Sequence, residues 1–232
     1  MASRVNAAAA RGVVRFEHYE MGWRRDGALD GRPCVLFAHG AGAPAASLFM
    51  DVVADGLAGH GLCVVRFDFP YMHRRLQEGR RAAAPDRAEV LVGGFRAMIA
   101  AVRSASPPAQ ALALGGKSMG GRMASMLLAA EPVPEARAAF YLGYPLSPAG
   151  QPAKIRADHL PSVPVPQLFV SGSRDALCSL EVLRPILARI PTATLHVVEY
   201  GDHSLATSRK DPLAGSEVWI GRVAEFIHAA CA

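Results

Sequence analysis

Short apolar runs alternate with longer segments of helical periodicity along the chain. The runs at 33–39, 62–69, 111–115, 138–143, 167–171 and 194–199 are rich in Val, Leu and Phe and show little polar alternation. Such runs suit strands covered on both faces, as in a parallel sheet between layers of helices. Within 86–103, Leu91, Phe95, Met98 and Val102 share one helical face, Asp86 and Glu89 have capping-box spacing, and Pro107 blocks continuation. Leu183, Ile186, Leu187 and Ile190 predict another helix, which must start late or bend because of Pro185. Ser216 is placed to cap a last helix with the buried stripe Trp219, Val223, Phe226 and Ile227. Residues 13–20 predict an edge strand antiparallel to the rest. Together these elements predict an α/β fold of three layers, a mainly parallel sheet with helices on both faces.

Length and composition narrow the class. With 232 residues and 51% hydrophobic content, the chain can bury a substantial core and does not read as disordered. No internal repeat or Gly/Ser linker divides it, so one domain is expected over 1–232, with 1–12 as a flexible tail. No apolar stretch approaches the roughly 18 residues that cross a bilayer. The four alanines from Ala7 to Ala10, between Arg4 and Arg11, are too short and weakly apolar for a secretory signal. The expected address is the cytoplasm, with no membrane partner. Cys34, Cys63, Cys178 and Cys231 form no C-x-x-C pair and read as reduced thiols, without a metal site.

The net charge of +5 raises nucleic acid as a partner. More than half of it falls in 72–87, where Arg74, Arg75, Arg80, Arg81 and Arg87 stand against Glu78 and Asp86. That stretch has no aromatic residue to stack on bases and no helix-turn-helix or zinc-finger spacing, so no nucleic acid is expected. It reads first as a solvated or fold-supporting loop, and second as a means of steering an anionic substrate.

The chemistry concentrates after strands. Gly116-Lys117-Ser118-Met119-Gly120, followed by Gly121, comes directly after the run at 111–115 and before a helical pattern at 123–130. A sharp strand-to-helix turn exposes its serine at a helix N-terminus, and glycines two residues either side permit the close approach. A phosphate-binding loop would need a glycine where Ala111 stands and a flexible loop where a strand is predicted. Asp175 follows the fifth run within Ser171-Gly172-Ser173-Arg174-Asp175, and His203 follows the last within Gly201-Asp202-His203. Serine needs a base to become a strong nucleophile, and a carboxylate fixes the imidazole tautomer. Asp202 is a rival acid, but a direct neighbour reaches its own adjacent imidazole poorly. His18, His60, His73, His159, His196 and His228 read as structural. His39-Gly40-Ala41-Gly42-Ala43 follows the first run, where small residues leave backbone N–H groups free for an oxyanion. The amides of Ala41 and Met119 are the natural pair, with His39 stabilising the turn.

The order Ser118, Asp175, His203 is that of α/β-hydrolases, and the chain is similar to that superfamily from about Pro33 onward. More narrowly it resembles the dienelactone-hydrolase-related predicted hydrolases, a group sharing its domain with the testis-expressed and nonspecific-lethal-complex subunit (KANL/Tex-type) proteins. His39 to Ala43, Arg66-Phe67-Asp68-Phe69-Pro70-Tyr71, Gly115 to Arg122, Gly143-Tyr144-Pro145-Leu146 and Ser171 to Asp175 carry that resemblance. It implies an α/β-hydrolase fold. No long insertion separates 138–143 from 167–171, so no large cap domain is expected.

The resulting expectation is a serine hydrolase acting on small carboxylic esters or thioesters through an acyl-enzyme, needing no metal and no organic cofactor. A non-catalytic scaffold and an acyltransferase are the alternatives. His39, Gly42, Lys117, Tyr71, Arg74 and Arg75 are the candidate substrate contacts, the last two for an anionic group.

Overall fold

The computed structural model describes residues 10–106 and 110–232. Its strands are β1 (Arg11–Phe16), β2 (Tyr19–Asp26), β3 (Cys34–Ala38), β4 (Cys63–Phe67), β5 (Leu112–Lys117), β6 (Ala136–Leu142), β7 (Gln167–Gly172) and β8 (Ala193–Val198). They form one sheet in the order β1-β2-β4-β3-β5-β6-β7-β8. β3 to β8 pair parallel, whereas β2 pairs antiparallel with both β1 and β4.

The sheet separates two cores, because side chains alternate along each strand. Val35 and Phe37 of β3 meet Met50, Val53 and Leu57 of α1 (Leu48–Gly59) and Trp219 and Val223 of α6 (Ser216–Cys231). Leu36 faces the other way, toward the core of Phe95 and Met98 of α3 (Ala88–Ala105) and Met123 and Leu127 of α4 (Met119–Ala130). Each fully buried Leu, Val or Phe contributes about 1.5–3 kcal/mol. Exposed ion pairs such as Arg96–Glu131, between α3 and the end of α4, contribute about 0–1 kcal/mol. Burial, not surface pairing, holds the helices on the sheet. The short helices α2 (Pro70–Gln77) and α5 (Leu180–Leu187) and a 3-10 turn (Leu160–Ser162) complete the fold, with no large cap among the described residues.

Several local expectations change. Residues 13–20 belong to a hairpin rather than one strand: β1 and β2 turn at Glu17 and His18, and only β2 runs against the sheet. β1 starts at Arg11, so Arg11 and Gly12 are not tail; residues 1–9 and Pro107 lie outside the described residues. Asp86 does not cap α3, since Arg87 takes the cap position without a side-chain bond and Asp86 accepts from Arg74 instead. Gly215 (φ +74°), not Ser216, precedes α6, and Ile220 is buried where Phe226 is only partly so. Pro185 lies inside α5, which ends two residues later. β8 is only partly buried because it forms the sheet edge.

The strand order reverses at β3. The chain leaves β3 through α1 toward β4, then returns through α2 and α3 to β5 on the opposite side. The crevice at the C-terminal ends of β3 and β5 is therefore a topological switch point, where ligand sites form in open α/β sheets.

Candidate active site

Ser118 stands between β5 and α4 with φ +50° and ψ −116°. A side chain at positive φ costs about 1–3 kcal/mol, and the surroundings must hold it. The Ser118 N–H donates to the Leu142 carbonyl at 2.9 Å. Gly116 and Gly120 make the turn possible. A Cβ on Gly116 would lie 2.6 Å from the Ala38 carbonyl oxygen, and one on Gly120 would lie 2.7 Å from that of His39. The serine hydroxyl thus projects at the start of a twelve-residue helix and meets His203 Nε2 at 2.8 Å.

His203 Nδ1 lies 2.9 Å and 3.0 Å from the Asp175 carboxylate oxygens. Nδ1 is therefore the protonated nitrogen, leaving Nε2 to accept from the serine hydroxyl. The Asp175 side chain is fully buried and also accepts the Leu177 N–H at 2.8 Å. Asp202 is occupied elsewhere: its Oδ1 accepts the amides of Ser204 and Ala206. The three residues expected to act together are brought together, and the rival acid is not among them.

The turn after β3 is held from behind by the segment following β4. Buried His39 accepts the Phe69 N–H on Nε2 at 3.0 Å, so Nδ1 carries the proton and donates to the Gly40 carbonyl at 2.5 Å. Burial lowers the pKa of this imidazole, which suits the neutral form. The Tyr71 hydroxyl donates to the Ala41 carbonyl at 2.8 Å, Asp68 accepts the Ala45 N–H at 2.8 Å, and Arg66 donates to the Ala45 carbonyl at 2.9 Å. Arg66 is in turn paired with Asp26 and Asp51. The Gly40–Ala41 peptide is thus held by its Gly40 carbonyl, and the Ala41 N–H at its other end takes no protein acceptor among the described residues. Met119 opens α4, so its N–H has no carbonyl one turn behind it within the helix. His39 stabilises the turn as expected, and Tyr71, named as a candidate substrate contact, bonds the same turn; neither lines the pocket over Ser118.

A pocket of about 520 Å³ opens over Ser118 and His203. Ala41, Gly42, Leu48, Phe49 and Leu213 give it mostly apolar walls, and Lys117 also borders it. Leu48 is 70% exposed at the first turn of α1, a large apolar side chain left in contact with water beside the nucleophile. The walls from 47–50 and 212–213 were not evident from sequence, although the apolar Leu48-Phe49-Met50 run was the available signal. Arg74 and Arg75 do not line this pocket. Arg74 pairs with Asp86 at 2.6 Å and lies over the Tyr19 ring, while Arg75 donates to the carbonyls of Gly42 and Arg80. The arginine-rich stretch begins in the helix α2, and Arg74, Arg75 and Arg80 each bond neighbouring protein groups. A second Ser–His contact, Ser125 to His159 at 2.8 Å, is packed with the Tyr144 hydroxyl. No carboxylate accepts from His159 among the described residues, and Ser125 is fully buried.

The sequence matches the alpha/beta hydrolase domain over residues 31–230. The chain belongs to this family. Among solved structures, this alpha/beta hydrolase is similar to dienelactone hydrolase from Anabaena variabilis ATCC 29413, with a TM-score of 0.74, 19% identity, and 96% and 97% of the two chains covered. Est1E from Butyrivibrio proteoclasticus matches at TM-score 0.72 and 13% identity over 96% of this chain and 99% of its own. XC6422 from Xanthomonas campestris, described as a serine hydrolase without a lid, matches at TM-score 0.72 and 16% identity over 96% of both chains. At such identities the likeness is one of fold. Among the described residues of this hydrolase, no helix is long and apolar enough to cross a membrane.

Proposed function

We propose that the chain is a serine hydrolase that cleaves small carboxylic esters or thioesters through an acyl-enzyme. The observation that carries this reading is the hydrogen-bonded series from Ser118 through His203 to Asp175 at the floor of an apolar pocket. In the first half-reaction Ser118 Oγ attacks the acyl carbon while its proton passes to His203 Nε2, and buried Asp175 stabilises the imidazolium. The amides of Ala41 and Met119 are assigned to the oxyanion. The imidazolium then gives its proton to the departing alkoxide or thiolate. In the second half-reaction a water gives a proton to His203 Nε2 as its oxygen attacks the acyl carbon; the Ser118 Oγ–acyl bond then breaks, Oγ takes the proton back from His203, and the acid leaves. These steps use only side chains, backbone and water.

The mostly apolar walls support a neutral, apolar acyl group. An adjoining polar pocket of about 510 Å³ shares Ser204 and Pro212 with the first and contains Arg174 and Arg209. Neither arginine is in a salt bridge among the described residues, and Arg174 lies over the Tyr200 ring. If the leaving group is anionic, these are the arginines that border its path beyond Lys117, in place of Arg74 and Arg75, which line neither pocket. The narrower kinship with the KANL/Tex-type group, resting on the shared motifs around His39, Arg66 and Ser118, and a cytoplasmic address are parts of the same proposal.

Hydrolysis of 4-nitrophenyl butyrate and of a butyryl thioester tests the reading. Turnover is expected in the wild type, with kcat in Ser118→Ala or His203→Ala lower by about 10⁴–10⁶. A folded wild-type protein without turnover on either substrate would favour a non-catalytic scaffold. Acyl transfer to an added alcohol in preference to water would favour the acyltransferase.

A further inference from the structure

Lys117, between the first glycine of the nucleophile turn and Ser118, takes no step in the proposed chemistry. Its side chain does not extend into solvent as a surface lysine does. The residue is partly buried, and Nζ donates to the backbone carbonyl of His203 at 2.7 Å. Two further elements shape the place. Gly143, at φ +61° after β6, leaves the room: a Cβ there would lie 3.1 Å from Nζ and would crowd the His203 carbonyl. The face of Phe49, from α1, stands 5.8 Å from Nζ. Burial lowers the Lys117 pKa to about 8, against the opposing pull of the Asp175 and Asp202 carboxylates. A charge set at such a place needs a compensating contact, and the His203 carbonyl supplies it.

The base has a mechanical problem that this contact addresses. His203 sits on the loop after β8, the edge strand, while Ser118 follows β5, three strands away in the sheet. Asp175, after β7, fixes the ring orientation through Nδ1. Apart from the Ser118–His203 pair itself, the bond from Lys117 is what joins the nucleophile turn to the backbone of the base among the described residues.

We propose that Lys117 is a positioning residue that anchors the His203 loop to the nucleophile turn and so sets the imidazole within reach of Ser118. This rests on the proposed serine chemistry for its kinetic consequences, and on geometry alone for its effect on the loop. A displacement of about 1 Å in a catalytic group is worth roughly 100-fold in rate.

The test compares wild type with Lys117→Met, which removes the donor, and Lys117→Arg, which keeps a charged one. With 4-nitrophenyl butyrate, Lys117→Met is expected to lower kcat by about 10- to 100-fold with KM within about twofold. Labelling by a fluorophosphonate should slow by a similar factor, and Lys117→Arg should recover most of both. Hydrogen exchange at 201–206 should quicken in Lys117→Met, while β5 and α4 keep their protection. Wild-type kcat with unchanged exchange would overturn the proposal. A raised KM with kcat preserved would also overturn it, making Lys117 a substrate contact. Should wild type show neither turnover nor labelling, the serine chemistry fails, and the exchange difference still decides the role of Lys117. If Lys117→Met does not fold, Lys117→Gln, whose amide ends one bond short of Nζ, is measured in its place with the same outcomes.

Discussion

The hydroxyl of Tyr71 donates to the carbonyl of Ala41 over 2.8 Å, thirty residues away in sequence. That bond fixes the Ala41–Gly42 peptide, the neighbour of the Gly40–Ala41 peptide that carries the Ala41 N–H and whose Gly40 carbonyl is held by His39 Nδ1. Tyr71→Phe keeps the buried ring and removes only the bond. Loss of one neutral hydrogen bond costs about 0.5–1.5 kcal/mol of stability. The larger effect is expected in turnover, with kcat about tenfold lower and KM near wild type, because the oxyanion donor is displaced only indirectly and deletion of a whole donor costs about 10²–10³. Steady-state kinetics on a neutral ester checks it, and a change confined to KM would contradict the assignment of Ala41.

His39 gives the fold a pH dependence. Its neutral ring serves both Gly40 and Phe69, and burial lowers its pKa from 6.5. Below about pH 6.5 the unfolded chain takes up a proton at this site that the folded chain resists, so unfolding is favoured as pH falls. The contribution is full above pH 6.5 and declines below it, toward the lowered folded pKa. Urea midpoints of wild type and His39→Asn should therefore differ most at pH 8 and converge toward pH 5. A gap that widens on acidification would show the ring to be charged in the fold.

Gly120→Ala places a methyl against the carbonyls of Ala38 and His39, both backbone. No side chain can swing away to make room, so β3 or α4 must shift. The expected loss is about 1–3 kcal/mol, or a fall in Tm of roughly 3–10 °C. Serine reactivity should fall with it, since the same turn sets Ser118. Thermal unfolding followed by fluorescence, beside the rate of fluorophosphonate labelling, measures both.

Anion recognition distinguishes the two groups of arginines. The rates on 4-nitrophenyl butyrate and on its 3-carboxy analogue give a preference ratio in kcat/KM. Arg174→Gln and Arg209→Gln are each expected to lower the ratio of anionic to neutral ester by about 3- to 10-fold, most strongly at low salt. Arg74→Gln should leave the ratio where it was, because its guanidinium is held by Asp86 and Tyr19. A ratio that responds to Arg74 alone would restore the arginine-rich segment as the anion site.

Strand positions were legible because residues such as Val35, Leu36 and Phe37 are buried on both faces of a parallel sheet, which leaves an unbroken apolar run. Ser118, Asp175 and His203 were legible because each follows its own strand, and the ends of parallel strands share one edge. What sequence did not reveal depends on side-chain direction over long separations. Tyr71 and Arg75 read as groups facing a substrate, yet they bond the turn at Ala41 and Gly42 from behind. Leu48 and Phe49 fell in no element predicted from sequence, and it is the packing of α1 beside the nucleophile turn that makes them pocket walls. Asp86 matched a cap by spacing, but Arg74 offered it a closer partner.

The central claim is that Ser118 is the activated nucleophile. Reaction with a fluorophosphonate probe at neutral pH, followed by proteolysis and mass spectrometry, reads this at single-residue resolution. The adduct is expected on the peptide containing Ser118, absent from Ser118→Ala, and greatly slowed in His203→Ala. An adduct on Ser125 or another serine, or undiminished labelling in Ser118→Ala, would contradict it.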